Sequence, residues 1–254
     1  MENIYKNIYL LLELSKSELK TKYKNAFLGF LWILFEPFFI MLILYIVFSR
    51  IMRFNMEYYP LYLLSGITTW RIFVNATTSG LSSLYRNRDI ILRVNIPRML
   101  IPASAVVSAV ITGFFEFIVY IIIYIILKRS FDPVILMFIP FLAVYSIFVL
   151  GVANILSVIY VFFRDIKPAW NVLLQALFFL CPIFYPLSII PYNYMALYLI
   201  NPLAVFVISF HKILYSNTLP DLTILLNSLF FAVGIYVLSI MIVKIQEKKI
   251  VKRI

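Results

Sequence analysis

Six mostly apolar runs divide the sequence, near Phe30–Phe48, Pro60–Leu84, Met99–Leu127, Val134–Phe163, Trp170–Pro186 and Leu222–Val243. Runs of this kind constrain the fold more than any other feature, because about 20 mainly apolar residues wound as a helix cross a bilayer core. Lipid offers no hydrogen bonds, so a spanning segment must satisfy its backbone internally, and a helix does so. Composition agrees: 64% of residues are hydrophobic and 13% charged, whereas soluble domains carry roughly 45–50% and about 25%. The expected fold is an all-α membrane protein of six transmembrane helices, forming a single domain over residues 1–254. Between the fifth and sixth runs, residues 187–221 stay apolar but are broken by Pro191, Pro202 and Pro220. Pieces as short as Pro202–Phe210 cannot cross, so this region is expected to be re-entrant or interfacial, with its backbone satisfied by protein or water.

Charge sets the expected orientation. With six spans both termini share one side, and that side collects sixteen Lys and Arg residues against five on the other, with Arg71 inside a span. The positive-inside rule then makes both termini cytoplasmic and residues 187–221 external. The net charge of +11 points to anionic membrane lipids as partners rather than nucleic acid. The first 25 residues carry charges throughout, so no cleavable signal peptide is expected.

Several chemistries are excluded. Cys181 is alone, which rules out a disulfide framework and a cysteine metal site, and His211 is the single histidine. The six glycines are Gly29, Gly66, Gly80, Gly113, Gly151 and Gly234, too widely spaced to write a phosphate-binding or dinucleotide loop. This chain is expected to bind no cofactor itself, so any ATP must be held by a separate chain. No nucleophile–base arrangement stands out; an intramembrane glycosyl or phospho-sugar transferase remains the enzyme-class alternative.

Two pieces on the charged side read as structured. Residues 1–25 place Ile8, Leu11, Leu12, Ser15 and Leu19 near one face, with Glu13, Lys16, Ser17 and Lys20 opposite. This is an amphipathic helix suited to the interface, with Glu18 and Lys22 spaced for an i,i+4 pair. Residues 86–97 interleave Arg86, Arg88, Asp89 and Arg93 with Ile90, Ile91, Leu92 and Val94 before Pro97. A solvated loop needs no such apolar residues, so a short helix pressed on lipid or protein is expected.

Glu36, Arg71 and Glu116 lie in or at the edges of spans, where ionisable groups are costly and face protein or water. Arg71 and Glu116 either pair with each other or line a conduit. A proton relay needs more carboxylates or histidines, which makes a proton-coupled transporter the weaker reading. Aromatics reach 18%, and most of them suit interfacial belts and lipid-facing bulk.

Six stretches in order resemble a known family, the membrane (permease) subunit of type-2 ABC exporters in the polysaccharide-exporting branch. They are Lys24-Asn25-Ala26-Phe27-Leu28-Gly29-Phe30-Leu31-Trp32 leading to Pro37, and Tyr59-Pro60-Leu61-Tyr62-Leu63-Leu64-Ser65-Gly66 leading to Trp70. Asn95-Ile96-Pro97-Arg98, Phe163-Arg164-Asp165, Cys181-Pro182-Ile183-Phe184-Tyr185-Pro186 and Asn201-Pro202-Leu203 follow. Met99 departs from the pattern, since many members carry an acidic residue there. The resemblance implies a homodimer in the cytoplasmic (inner) membrane, with two copies of a cytoplasmic ATPase that bind the ATP and Mg. It implies coupling to that ATPase through Arg86, Arg88, Asp89, Ile91, Arg93 and Pro97. The cargo would be a lipid-linked polysaccharide, O-antigen first and capsule or teichoic acid as alternatives. Sugar C–H faces pack on aromatic rings, which makes Tyr45, Tyr62, Trp70, Phe73, Phe184 and Tyr185 the candidate conduit aromatics.

Overall fold

The computed structural model describes residues 2–23, 28–94, 96–128 and 132–253. Residues 24–27 of the first resembling stretch, together with Asn95 and Arg129, lie outside them. Among the described residues there are ten α-helices and no strand: α1 (Glu2–Tyr23), α2 (Trp32–Tyr45), α3 (Tyr59–Arg86), α4 (Arg88–Arg93), α5 (Leu100–Lys128), α6 (Phe138–Phe162), α7 (Ile166–Leu180), α8 (Tyr192–Tyr198), α9 (Pro202–Phe210) and α10 (Leu222–Arg253). The chain is an all-α membrane protein.

Length and apolar composition qualify four segments as spans: Gly29–Ile51, Leu100–Lys128, Pro133–Phe162 and Leu222–Ile250. The other two expected spans differ for separate reasons. With 28 residues, α3 reaches about 42 Å, but it carries Ser, Thr, Asn and Arg71 and is the helix around which the rest pack. Its buried positions run from Tyr59 to Leu84, and it packs on α5, α6, α2, α7 and α9. By contrast, α7 has 15 residues, about 22 Å of helix, and ends at Leu180 rather than Pro186. Cys181 is extended (φ −105°, ψ 146°), as suits the residue before Pro182.

Close helix contact in lipid favours small residues, and two glycines show why. A Cβ on Gly151 would lie 2.9 Å from the Ile235 backbone, where α6 packs on α10. One on Gly66 would lie 2.7 Å from the Ile183 carbonyl oxygen.

The broken region behaves as a membrane interior requires. Asn201 caps α9 by accepting from the Leu203 N–H at 3.1 Å, with Pro202 in the first turn. Leu203–Phe210 are all 2% exposed or less, and a π-helical turn, His211–Tyr215, continues the helix. Carbonyls that this irregular backbone leaves open are met by tyrosine hydroxyls: Tyr59 donates to Phe184 O (2.6 Å), Tyr62 to Pro182 O and Tyr185 O (3.0 and 2.6 Å), and Tyr120 to Leu214 O (2.5 Å).

At the opposite end a smaller core gathers Leu84, Ile91, Ile96, Ile101, Val158, Val161, Val243 and Ile250, with Leu10 and Leu14 of α1 against it. The segments rich in Lys and Arg therefore share one end of the molecule. Here α1 packs one face against that core and keeps another open. It turns Leu10, Leu14 and the buried Ser15 inward and leaves Ile8 and Leu12 exposed. Glu18 pairs with Arg86 at 2.5 Å instead of with Lys22. Lys22 Nζ donates to Asn75 Oδ1 at 2.8 Å.

Candidate functional site

One face of α3 is less buried than the rest and carries Trp70, Val74, Asn75, Thr78, Ser79 and Arg86, with the buried Arg71 beside it. Three adjoining cavities follow this stripe. The first, about 460 Å³, lies among α1, α3 and α5, lined by Ser17, Glu18, Thr21, Lys22, Asn75 and Arg86 among others. A second, about 250 Å³, brings Glu36 and Ile40 of α2 to Arg71, Asn75 and Phe178. The third, about 450 Å³, lies between α3 and α7 and is lined by Trp70, Val74, Thr78, Asn171, Gln175, Phe178 and Phe179. Together they form a groove that is polar and charged near α1 and aromatic beyond Arg71.

The three intramembrane ionisable groups meet in this groove. Arg71 donates from Nε to Glu116 Oε1 at 2.8 Å, and its Nη1 and Nη2 reach the Glu36 oxygens at 2.6 and 2.8 Å. Pairing of this kind is what makes such groups tolerable at membrane depth. Lys22 of α1 feels all three charges, and desolvation, then the charge of Arg71, hold its ammonium below the ordinary lysine range.

The candidate aromatics divide by burial. Tyr62, Phe73 and Phe184 are packed inside the chain's own bundle, Tyr62 stacked on His211 at 3.8 Å and Phe73 on Phe148 at 5.9 Å. Tyr45, Trp70 and Tyr185 are half-buried, and Trp70 meets Phe178 edge-on at 5.5 Å. The coupling candidates divide likewise. Ile91 is buried in the small core, while Arg86, Arg88, Asp89, Leu92, Arg93, Val94 and Pro97 are exposed. Arg88 lies 5.5 Å and Arg164 4.4 Å from the centre of the Tyr85 ring.

Ser65 Oγ lies 2.7 Å from His211 Nδ1, a spacing that suits a nucleophile and base. No carboxylate orients this imidazole among the described residues, and its Nε2 bonds the Pro182 carbonyl at 2.8 Å. The pair ties α3 to the broken segment. Sequence reading missed Lys22, Asn75, Thr78 and Phe178. The first three are marked only by helical spacing along α3 and α1, and Phe178 looks like any lipid-facing ring.

Helices packed around one polar-striped helix, with a groove along that stripe, make this a multi-pass membrane protein with a path for polar groups at membrane depth. The chain belongs to the ABC-2 type transporter family, whose model matches residues 9–215. It is 30% identical over 227 residues to the O-antigen export system permease protein RfbA of Myxococcus xanthus, covering 87% of this chain and 86% of that protein. The Klebsiella pneumoniae protein of the same name is 29% identical, covering 83% and 82%. The polysialic acid transport protein KpsM of Escherichia coli is 25% identical, covering 73% of each.

Proposed function

We propose that this chain is the transmembrane subunit of an ATP-driven exporter that moves a lipid-linked polysaccharide outward across the cytoplasmic membrane. O-antigen is the first candidate cargo, and capsule and teichoic acid chains are the alternatives. The observation that carries the reading is the groove along α3, which joins a charged mouth to rings and amides suited to sugar. Aromatic faces pack on sugar C–H groups while hydroxyls meet polar side chains, and Trp70, Phe178, Asn171 and Gln175 offer both along one wall. The names of the similar proteins support this cargo class.

In this reading two copies of the chain work with two copies of a cytoplasmic ATPase that holds the ATP and Mg. Arg86, Arg88, Asp89, Arg93 and Pro97 face that ATPase, with the exposed Leu92 beside them and Ile91 as the buried anchor of α4. Both termini are cytoplasmic, and residues 187–221 lie on the outer side. Deleting the gene should remove one class of surface glycan, and complementation should restore it only with an ATPase able to hydrolyse ATP. Intact surface glycans after deletion, with sugar transfer by the purified chain alone, would establish the transferase instead.

A further inference from the structure

The Glu36–Arg71–Glu116 triad is lopsided. Glu116 is sealed on α5, its side chain 1% exposed, and it grips one edge of the guanidinium through Nε. Its other oxygen, Oε2, is buried without a hydrogen-bond partner among the described residues, so Arg71 is its one polar anchor there. The opposite edge of the guanidinium, Nη1 and Nη2, forks onto both oxygens of Glu36. The Glu36 side chain is 53% exposed and lines the middle cavity of the groove.

Exposed ion pairs contribute little to stability, so the contact on the half-exposed Glu36 side is weakly held. Here one carboxylate fixes the arginine while the other occupies its fork from the open side. An arginine fork fits two oxygens of a phosphate as well as it fits a carboxylate. Lys22 supplies a second cation close enough to feel Arg71 and both glutamates, and Asn75, its hydrogen-bond partner, lines the same cavity. We propose that Arg71, oriented by Glu116, is a binding site for a phosphate or diphosphate group entering the groove, and that Glu36 is its built-in competitor, displaced as the anion binds. The inference rests on the export reading in one respect: the anion of greatest interest is the phosphate that joins a glycan to its carrier lipid.

The test uses the assembled permease–ATPase complex in nanodiscs and a fluorescent polyprenyl diphosphate as probe. Glu36→Gln should bind the probe about fivefold more tightly, the scale set by a half-exposed ion pair. Arg71→Lys, which keeps the charge and loses the fork, should bind about tenfold more weakly. Inorganic pyrophosphate and nanodiscs rich in phosphatidylglycerol are the competing arms. Displacement by pyrophosphate at equal concentration would support the site with a soluble anion as ligand, and displacement by phosphatidylglycerol would support it with a bulk lipid headgroup. If Glu36→Gln instead leaves affinity unchanged or lowers it, the triad is a structural bridge and the inference fails. That failure is distinct from failure of the export reading, which shows as surface glycan persisting in the deletion strain.

Discussion

Tyrosine hydroxyls do an unusual share of the structural chemistry in this chain. A broken helix inside a membrane exposes carbonyls that neither water nor lipid satisfies. Tyr62 donates to two such oxygens, those of Pro182 and Tyr185, across 120 and 123 residues of sequence. Replacing Tyr62 by Phe keeps the ring stacked on His211 and removes the donor. The expected cost is about 1 kcal/mol, since the Tyr185 carbonyl loses its donor while the Pro182 carbonyl keeps His211 Nε2. Thermal unfolding of the detergent-solubilised protein should show it, and Tyr120→Phe, which strands Leu214 O, should behave alike. The same change at half-buried Tyr45 should shift the midpoint little. The sequence marks Tyr62 as a ring in a span, but its partners come together only in three dimensions, so its role as a donor is not legible there. Arg71 and Glu116 differ, because two opposite charges at membrane depth advertise a pair, and they do pair.

At the scale of elements, what the sequence reveals depends on whether local pattern or tertiary contact decides. Pro191, Pro202 and Pro220 announce the broken region. The fifth run, by contrast, reads as apolar through Pro182 to Pro186, and α7 stops earlier, at Leu180, because the residue before Pro182 is held extended. The facing of α1 is decided elsewhere. Leu10, Leu11, Leu12 and Leu14 wrap most of the helix, so amphipathicity alone leaves two faces open. The small core and the Glu18–Arg86 pair select the one that turns inward. Close approaches are also invisible to sequence patterning, which gives Gly66 no special weight. Yet a side chain there would collide with the Ile183 backbone, so Gly66→Val should abolish stable assembly while leaving membrane insertion intact. For α4, single cysteines at Leu92, Arg93 and Val94 should crosslink to the ATPase in the assembled complex. One at Ile91, 4% exposed, should resist both crosslinking and water-soluble maleimide. Free labelling of all four positions in the complex would make α4 a membrane anchor instead.

For the whole molecule, the groove makes a demand that no single residue meets. A polymer that slides cannot be held by one tight contact, so many modest ones must share the work. Each aromatic–sugar contact is then on the order of 0.5–1.5 kcal/mol, the range of aromatic packing pairs. Alanine at Trp70, Phe178 or Phe179, all on the aromatic part of the groove, should reduce surface glycan per assembled transporter gradually and leave assembly intact. The double change at Trp70 and Phe178, which touch each other and line two of the same cavities, should be much worse than either alone. The decisive contrast is with Phe73, three positions along α3 but packed between Phe148 and Trp170. A charge introduced in a hydrated groove is tolerated better than one buried in the bundle. Trp70→Asp should therefore impair export yet yield a folded complex, whereas Phe73→Asp should fail to assemble at all. Surface glycan and complex yield, measured separately, tell these outcomes apart. Normal export from Trp70→Ala, combined with failed assembly of Trp70→Asp, would place the Trp70 face against lipid or the packed bundle. The cargo path would then lie on another face of the chain.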